Sequence, residues 1–312
     1  MIDDIGLNGP ARILVIKLGA LGDFVLAFHA FASIRAHHPG AHITLLTRAP
    51  LAELGRRAPW FEQVEVEHKT AWWNLPGLLR LRRQLSGYDF VYDLQTSSRT
   101  GWYFRLAGRP SWCGIARGAS HRHTNPRRDF MHTIERQRDQ LAQAGIIDVA
   151  RPDLSWLEAG GPELPEPYAV LVPGASPHRP RKRWPAERFG ALAARLWGQG
   201  ILPVIVGATT DQALAAAILR VCPTALDLTG RTSLVDLAGL SFRAAFCVGN
   251  DTGPTHLAAA MGCPTVVLFS EDSDPALTAP VGRWPGHSGQ VAVLRTPDLA
   301  DLPLERVAAA LP

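Results

Sequence analysis

Residues 245–269 read AFCVGNDTGPTHLAAAMGCPTVVLF. Two short apolar runs flank a segment that opens on Asp-Thr-Gly-Pro and continues in small residues and leucine. The pattern predicts strands at Ala245–Gly249 and Thr265–Phe269, with a helix at Thr255–Met261 between them. Pro254 suits the first helical position, where its missing N–H would have no helical partner in any case. Ala258–Ala260 lets such a helix lie close to a sheet. Neither strand alternates apolar with polar residues, as expected when both faces are covered. The stretch therefore reads as a β-α-β unit of a parallel sheet.

The same alternation extends in both directions. Further strands are predicted at Arg12–Leu18, His42–Thr47, Val64–Glu67, Phe90–Leu94 and Trp112–Ile115, then at Tyr168–Pro173, Leu202–Gly207, Ala225–Leu228 and Val291–Leu294. Helices are predicted at Asp23–His37, Pro76–Ser86, Phe130–Ala144, Ala186–Gly198, Asp211–Val221 and Leu234–Leu240. This is an α/β pattern with parallel sheets covered on both faces. The chain is 312 residues long, which suits two domains. The aperiodic Gly/Pro-rich segment 159–167 reads as a linker. The expected division is 1–158 and 159–312, two Rossmann-like domains with ligands at the carboxyl ends of their strands, facing a central cleft. The last helix is allowed to pack back on the first domain.

Composition narrows the function classes. Hydrophobic residues make up 46% and charged residues 19%, values of an ordinary globular protein with sizeable cores. The best membrane-span candidate, Ile13–Ile34, is interrupted by Lys17 and Asp23. Asp3 and Asp4 stand where a signal peptide would carry basic residues. Cys113, Cys222, Cys247 and Cys263 are scattered without a metal-binding spacing and read as reduced, buried residues of a cytoplasmic protein. Net charge is +5 over residues 1–158 and −1 over the remainder. No acidic residue occurs between Asp93 and Asp129, a stretch holding Arg99, Arg105, Arg109, Arg117, Arg122, Arg127 and Arg128. It is either a solvated face or a docking surface for an anionic partner.

Three segments carry candidate chemistry. In Lys17-Leu-Gly-Ala-Leu-Gly-Asp23, Gly19 and Gly22 are read as permitting a tight strand-to-helix turn. Asp23 is then either a helix N-cap or a carboxylate that takes a proton from an attacking hydroxyl. Only two of the three dinucleotide-fingerprint glycines are present, which disfavours NAD. In the second segment Pro173-Gly174-Ala-Ser176 precedes His178, Arg179, Arg181, Lys182 and Arg183. These basic groups are expected to converge on one strand end, where positioned cations stabilise a diphosphate leaving group. In the third, the amides of Thr252 and Gly253 suit an anion at a helix start. Asp251 is read as bonding a sugar hydroxyl or capping the helix, and His256 as either a structural histidine or a ligand.

Together these segments resemble glycosyltransferase family 9, the heptosyltransferases of lipopolysaccharide core assembly. The resemblance rests on ILVIKLGALGD at 13–23, YDFVYDLQ at 88–95, PGAS and KRWP within 173–185, and VGNDTGPTHLAAAMGCP at 248–264. It implies a GT-B fold, with the acceptor on the N-terminal domain and a nucleotide sugar on the C-terminal one. It implies Asp23 as general base, Lys182 as the cation at the diphosphate, and Asp251, Thr252, Gly253 and His256 as donor-binding residues. Gly174 and Ser176 join the donor side, and Gly19, Gly22, Arg122 and Arg127 the acceptor side. Inversion without a bound metal or other cofactor is implied, with ADP-heptose as donor and an anionic glycolipid as acceptor. Two departures stand out. Thr96 follows Asp-Leu-Gln where relatives often carry Gly, and Ser270-Glu-Asp-Ser-Asp274 is one residue longer than the usual loop.

The expected protein is a monomer that binds no nucleic acid, since it lacks aromatics in a stacking pattern. It is expected in the cytoplasm, with peripheral contact at the cytoplasmic face of the inner membrane. Trp72, Trp73 and Trp102 are candidates for that contact or for core packing. The alternatives are a related transferase using another nucleotide sugar or acceptor, and a non-catalytic nucleotide- or phosphoglycan-binding protein.

Overall fold

The structure is a computed structural model that describes residues 11–68, 70–71, 73–176, 178–282 and 291–312. Asp3, Asp4 and Trp72, named above, lie outside those residues. The chain divides into two compact units, Met1–Asp153 and Leu154–Pro312.

Unit 1 contains β1 (Arg12–Ile16), α1 (Leu21–Val25), α2 (Phe28–His37), β2 (His42–Thr47), α3 (Ala49–Arg57), β3 (Gln63–Val66), α4 (Leu75–Leu85), β4 (Phe90–Asp93), α5 (Ser98–Leu106), β5 (Trp112–Gly114), β6 (His121–Arg122) and α6 (Thr133–Ala142). Its described strands form a sheet in the order β3-β2-β1-β4-β5-β6, parallel at every pairing. Ile13 to Ile16 are almost wholly buried, as are Phe90 to Asp93 beside them, because helices cover both faces. α4 and α5 cover one face through Leu81, Leu85, Tyr103 and Phe104, which pack with Leu14, Ile16, Val91 and Trp112. The helix expected from Asp23 to His37 is two helices, the first beginning at Leu21.

Unit 2 contains β7 (Tyr168–Val172), α7 (Ala186–Gly198), β8 (Leu202–Ile205), α8 (Gln212–Val221), β9 (Leu226–Asp227), α9 (Leu234–Arg243), β10 (Phe246–Asn250), α10 (Gly253–Ala260), β11 (Thr265–Phe269), α11 (Pro275–Thr278), β12 (Val291–Arg295) and α12 (Leu304–Ala308). The sheet order is β12-β11-β10-β7-β8-β9, again all parallel. Counted from the start of each unit, the two orders are the same, so each unit is Rossmann-like. Strand order reverses between β1 and β4 in unit 1, and between β7 and β10 in unit 2. The carboxyl ends of those four strands are where open sheets of this kind bind ligands.

One expectation needs correction. The segment 159–167 is not a free linker, because its first half is bonded to α9. Arg243 donates to the carbonyl oxygens of Glu158, Gly160 and Pro162 at 2.9, 2.8 and 3.1 Å. A Cβ on Gly239 would stand 2.0 Å from the Gly160 oxygen, so helix and segment meet at a glycine-on-glycine crossing. The last helix, α12, contributes to the core of unit 2. Val307 and Leu304 of α12 join the core formed by Trp184, Phe189 and Leu192 of unit 2, and the Trp184 indole donates to the Leu302 oxygen at 2.8 Å. All four cysteines are free and buried, as the sequence suggests.

Candidate functional site

Each unit places some of its candidate residues at its own switch point. In unit 1 the chain leaves β1 through Lys17 and leaves β4 through Asp93, Leu94 and Gln95. These two exits are stitched together. The Leu18 amide donates to Gln95 Oε1 at 2.8 Å, and Lys17 Nζ donates to the Leu94 oxygen at 3.2 Å. A Cβ on Gly19 would lie 3.1 Å from Gln95 Oε1 and 3.4 Å from Asp23 Oδ2. Asp23, Gly19 and Gln95 are therefore neighbours.

Asp23 is half-buried and is the third residue of α1. The N-cap is Ala20, without a side-chain capping bond, so Asp23 does not cap the helix. The expected role of the glycines is also corrected. Neither Gly19 nor Gly22 has a positive φ, and Gly22 lies inside α1. Gly19 serves instead as a place of close approach. The left-handed backbone falls at Thr96, with φ 46°. Asp93 Oδ1 holds this turn by accepting from the amides of Gln95 and Thr96 at 3.1 and 3.0 Å.

Charges beneath this turn are buried. Lys17 is 4% exposed, and burial pushes its pKa down to about 8. The Asp23 and Asp93 carboxylates favour its charge, while the Arg136 guanidinium opposes it. Burial pushes Asp93 up to about 6, against hydrogen bonds from Thr100, Thr96 and Gln95 and the charge of Lys17. Lys17, Asp93 and Gln95 stand within the segments 13–23 and 88–95, where the sequence by itself assigns them no role. The available signal was a lysine and an Asp-Leu-Gln at the ends of adjacent apolar strands.

The acid-free arginine stretch is not one surface. Arg99 turns inward to the buried Glu67, which also accepts from the Tyr103 hydroxyl at 2.6 Å. His123 is buried against Asp139 at 2.7 Å. Arg122, on the two-residue strand β6, and Arg127 are exposed.

In unit 2 the exits of β7 and β10 are joined by Asn250. Its Nδ2 donates to the Pro173 oxygen at 2.9 Å, and its Oδ1 accepts the Trp184 amide at 3.1 Å. This wholly buried residue brings the 173–176 turn and the Lys182 loop to the start of α10. Gly174 lies against Asp211, where a Cβ would be 2.7 Å from Oδ2. Ser176 is exposed.

The five basic groups expected to converge do not. His178, Arg179 and Arg181 are exposed, and Arg183 donates to the Ala175 oxygen at 2.8 Å. Only Lys182 turns inward, where its Nζ reaches Asp251 Oδ2 at 2.6 Å. His256 Nε2 lies 3.2 Å from Asp251 Oδ1, and Ser273 Oγ donates to Oδ2 at 2.7 Å. Burial alone would raise the Asp251 pKa. The bonds from His256, Lys182 and Ser273, with the charge of Lys182, outweigh it and bring the value down to about 2. Asp251 is thus an ionised carboxylate that fixes Lys182, and it does not cap α10, whose N-cap is Thr252. Gly253 and Thr252 lie at that helix start, with Pro254 one position later than expected. Ser273 belongs to the long 270–274 loop and was noted in the sequence only as part of a length difference.

Among the described residues, no group of three or more His, Cys, Asp and Glu is arranged to hold a metal ion. The Lys182–Asp251–His256 arrangement can present ammonium protons to an anion beside a helix start. The Asp23 carboxylate can accept a proton.

Comparison with known proteins gives the family and the fold. The family model "Glycosyltransferase family 9 (heptosyltransferase)" matches residues 78–299. Lipopolysaccharide heptosyltransferase 1 of Pseudomonas aeruginosa is 27% identical over 305 residues, covering 89% of this chain and 83% of that protein. Lipopolysaccharide heptosyltransferase 2 of Salmonella typhimurium is 32% identical over 306 residues, covering 87% and 86%. The solved structure of Escherichia coli heptosyltransferase WaaC with ADP-2-deoxy-2-fluoro heptose is similar with a TM-score of 0.77 at 22% identity, over 96% of this chain and 98% of that one. The fold is of the GT-B class. With more than half of its length matched by the family model and relatives aligned along most of it, this chain belongs to glycosyltransferase family 9, the heptosyltransferase family, and is a glycosyltransferase.

Proposed function

We propose that this enzyme transfers heptose from ADP-heptose to a hydroxyl of the lipopolysaccharide inner core, with inversion and without a metal. The observation that carries the reading is the buried Lys182–Asp251–His256 cluster at the strand switch point of unit 2. An ammonium has three protons. One is held by Asp251, which leaves two for the oxygens of a diphosphate. Similarity to relatives named as lipopolysaccharide heptosyltransferases supports the choice of sugar, as does a structural neighbour holding an ADP-heptose analogue.

In this reading unit 2 binds the donor, through Gly174, Ser176, Lys182, Asp251, Thr252, Gly253 and His256. Unit 1 binds the acceptor beside Asp23, Gly19 and Gly22, and the exposed Arg122 and Arg127 meet acceptor phosphates. Asp23 takes the proton from the acceptor hydroxyl. The hydroxyl oxygen forms the new bond to the anomeric carbon on the face opposite the bond to phosphate. That bond breaks with its electron pair leaving on ADP, whose growing charge Lys182 neutralises. Single displacement makes the product anomer the inverse of the donor. The enzyme acts as a monomer at the cytoplasmic side of the membrane.

Purified enzyme is to be screened against nucleoside diphosphate sugars for thermal stabilisation. Turnover is then measured with the best donor, inner-core acceptor and a chelator. The reading requires ADP-heptose to give transfer undiminished by the chelator, with the inverted anomer in the product. Binding without turnover on any acceptor would favour a non-catalytic binding protein, and turnover of another sugar a related transferase.

A further inference from the structure

α4 and α5 lie side by side over one face of the unit 1 sheet, with Leu81, Leu85, Tyr103 and Phe104 turned inward. Their outward side is unusual. Trp73 is 71% exposed, Leu75 69%, Leu79 56% and Trp102 38%. Leu75 and Leu79 are one helical turn apart and so share a face. A cluster of exposed large apolar side chains on a soluble protein marks an interaction surface. Arg80, Arg82 and Arg83 of α4 and Arg105 of α5 are exposed on the same two helices. No acidic residue occurs anywhere in 68–88 or 94–128.

Position adds meaning to composition. Helices that connect parallel strands run against them, so the first turns of α4 and α5 lie at the carboxyl edge of the sheet. That edge also holds Asp23 and Gln95. Trp73 and Leu75 are at the entry to α4, and Trp102 is in the second turn of α5. The arginines Arg80, Arg82 and Arg83 follow toward the other end of α4. No described helix is long and apolar enough to cross a membrane.

We propose that this α4–α5 face docks unit 1 on an anionic phospholipid surface. Trp73, Leu75, Leu79 and Trp102 enter the interfacial layer, and the arginines meet the headgroups. Tryptophan and leucine beside arginine, on two helices whose own segments carry no acidic residue, are what an interfacial contact requires. The inference deepens the proposed function: an acyl-anchored acceptor would bring its sugar hydroxyl to the sheet edge that holds Asp23.

The test is flotation of the full chain with vesicles containing anionic phosphatidylglycerol, compared with pure phosphatidylcholine, at low and high salt. Binding is expected to need the anionic lipid and to weaken with salt. A Trp73→Ser, Leu75→Ser, Leu79→Ser variant is expected to bind more than about tenfold less tightly. Each of Arg80→Gln, Arg82→Gln and Arg83→Gln is expected to cost about fivefold on anionic vesicles only. The apolar variant should keep the wild-type melting temperature and its turnover on a deacylated, water-soluble acceptor. Absence of wild-type binding, or unchanged binding by both sets of variants, overturns the proposal. A variant that instead dissolves a dimer assigns the face to a second copy of the chain and overturns it equally. Vesicle binding is read without donor or acceptor. A lack of heptose transfer with intact vesicle binding therefore counts against the proposed function alone.

Discussion

At the scale of single residues, Asp251 pairs with Lys182 in the fold, and the proposed function adds a donor-binding role. Its folded pKa of about 2 lies below the ordinary 3.8, so the carboxylate stabilises the protein above that ordinary value. The contribution, about 2 kcal/mol, is lost as pH falls from about 4 toward 2. Urea denaturation from pH 5 to pH 3 should show wild type losing more stability than Asp251→Asn; parallel curves would refute the assignment. Lys182→Ala is expected to weaken ADP binding ten- to hundredfold, as loss of a charge-assisted contact does. Calorimetry showing unchanged affinity would remove Lys182 from the donor site. Asp23→Asn is expected to leave ADP affinity intact and lower kcat by about 10²- to 10⁴-fold. Full turnover in that variant would mean another group takes the proton.

At the scale of elements, the crossing of α9 over the start of unit 2 depends on two missing side chains. Gly239 faces the Gly160 oxygen, and a Cβ on Gly160 would be 2.1 Å from the Val235 oxygen. Contacts that short require backbone movement, so Gly239→Ala is expected to cost about 1–3 kcal/mol in urea denaturation. Gly198→Ala, on α7 with nothing within 4 Å, is the control and should be neutral or slightly stabilising. Equal behaviour of the two variants would show that the crossing yields easily. Thr96 illustrates a different local constraint. Its left-handed backbone costs about 1 kcal/mol for a non-glycine residue, and the two amide bonds to Asp93 hold it there.

For the whole molecule, each unit has its own buried core. Trp184, Phe189, Leu268 and Val307 belong to one core within residues 154–312, and Leu14, Val91, Tyr103 and Trp112 to another within 1–153. A fragment of residues 154–312 is therefore expected to unfold cooperatively and to bind ADP, since the proposed donor groups all lie within it. ADP at about 100 times its dissociation constant should add about 2.7 kcal/mol to the fragment's stability. A broad, non-cooperative transition, or a fragment blind to ADP, would contradict that expectation.

Sequence alone determined the α/β class and most of the strands. Fully buried strands must be continuous apolar runs, and Thr265–Phe269 and Ala186–Gly198 have the bounds that their patterns predict. It missed α3, a short helix with an apolar face of Leu51, Ala52 and Leu54, and α5, which buries only Thr100, Tyr103 and Phe104 and whose arginines read as surface charge. It gave the residue types of both candidate sites, because Asp23, Lys182 and Asp251 stand in matched segments at strand ends. Tertiary structure alone decided which of five neighbouring basic groups turns inward. Lys182 does so because Asp251, 69 positions away, offers a buried carboxylate to pair with it. Tertiary structure likewise decided that Arg99 faces Glu67 and that a Gly/Pro stretch is bonded to a helix. Local pattern reports whether a face is apolar; pairing of a buried charge depends on a partner that only folding brings near.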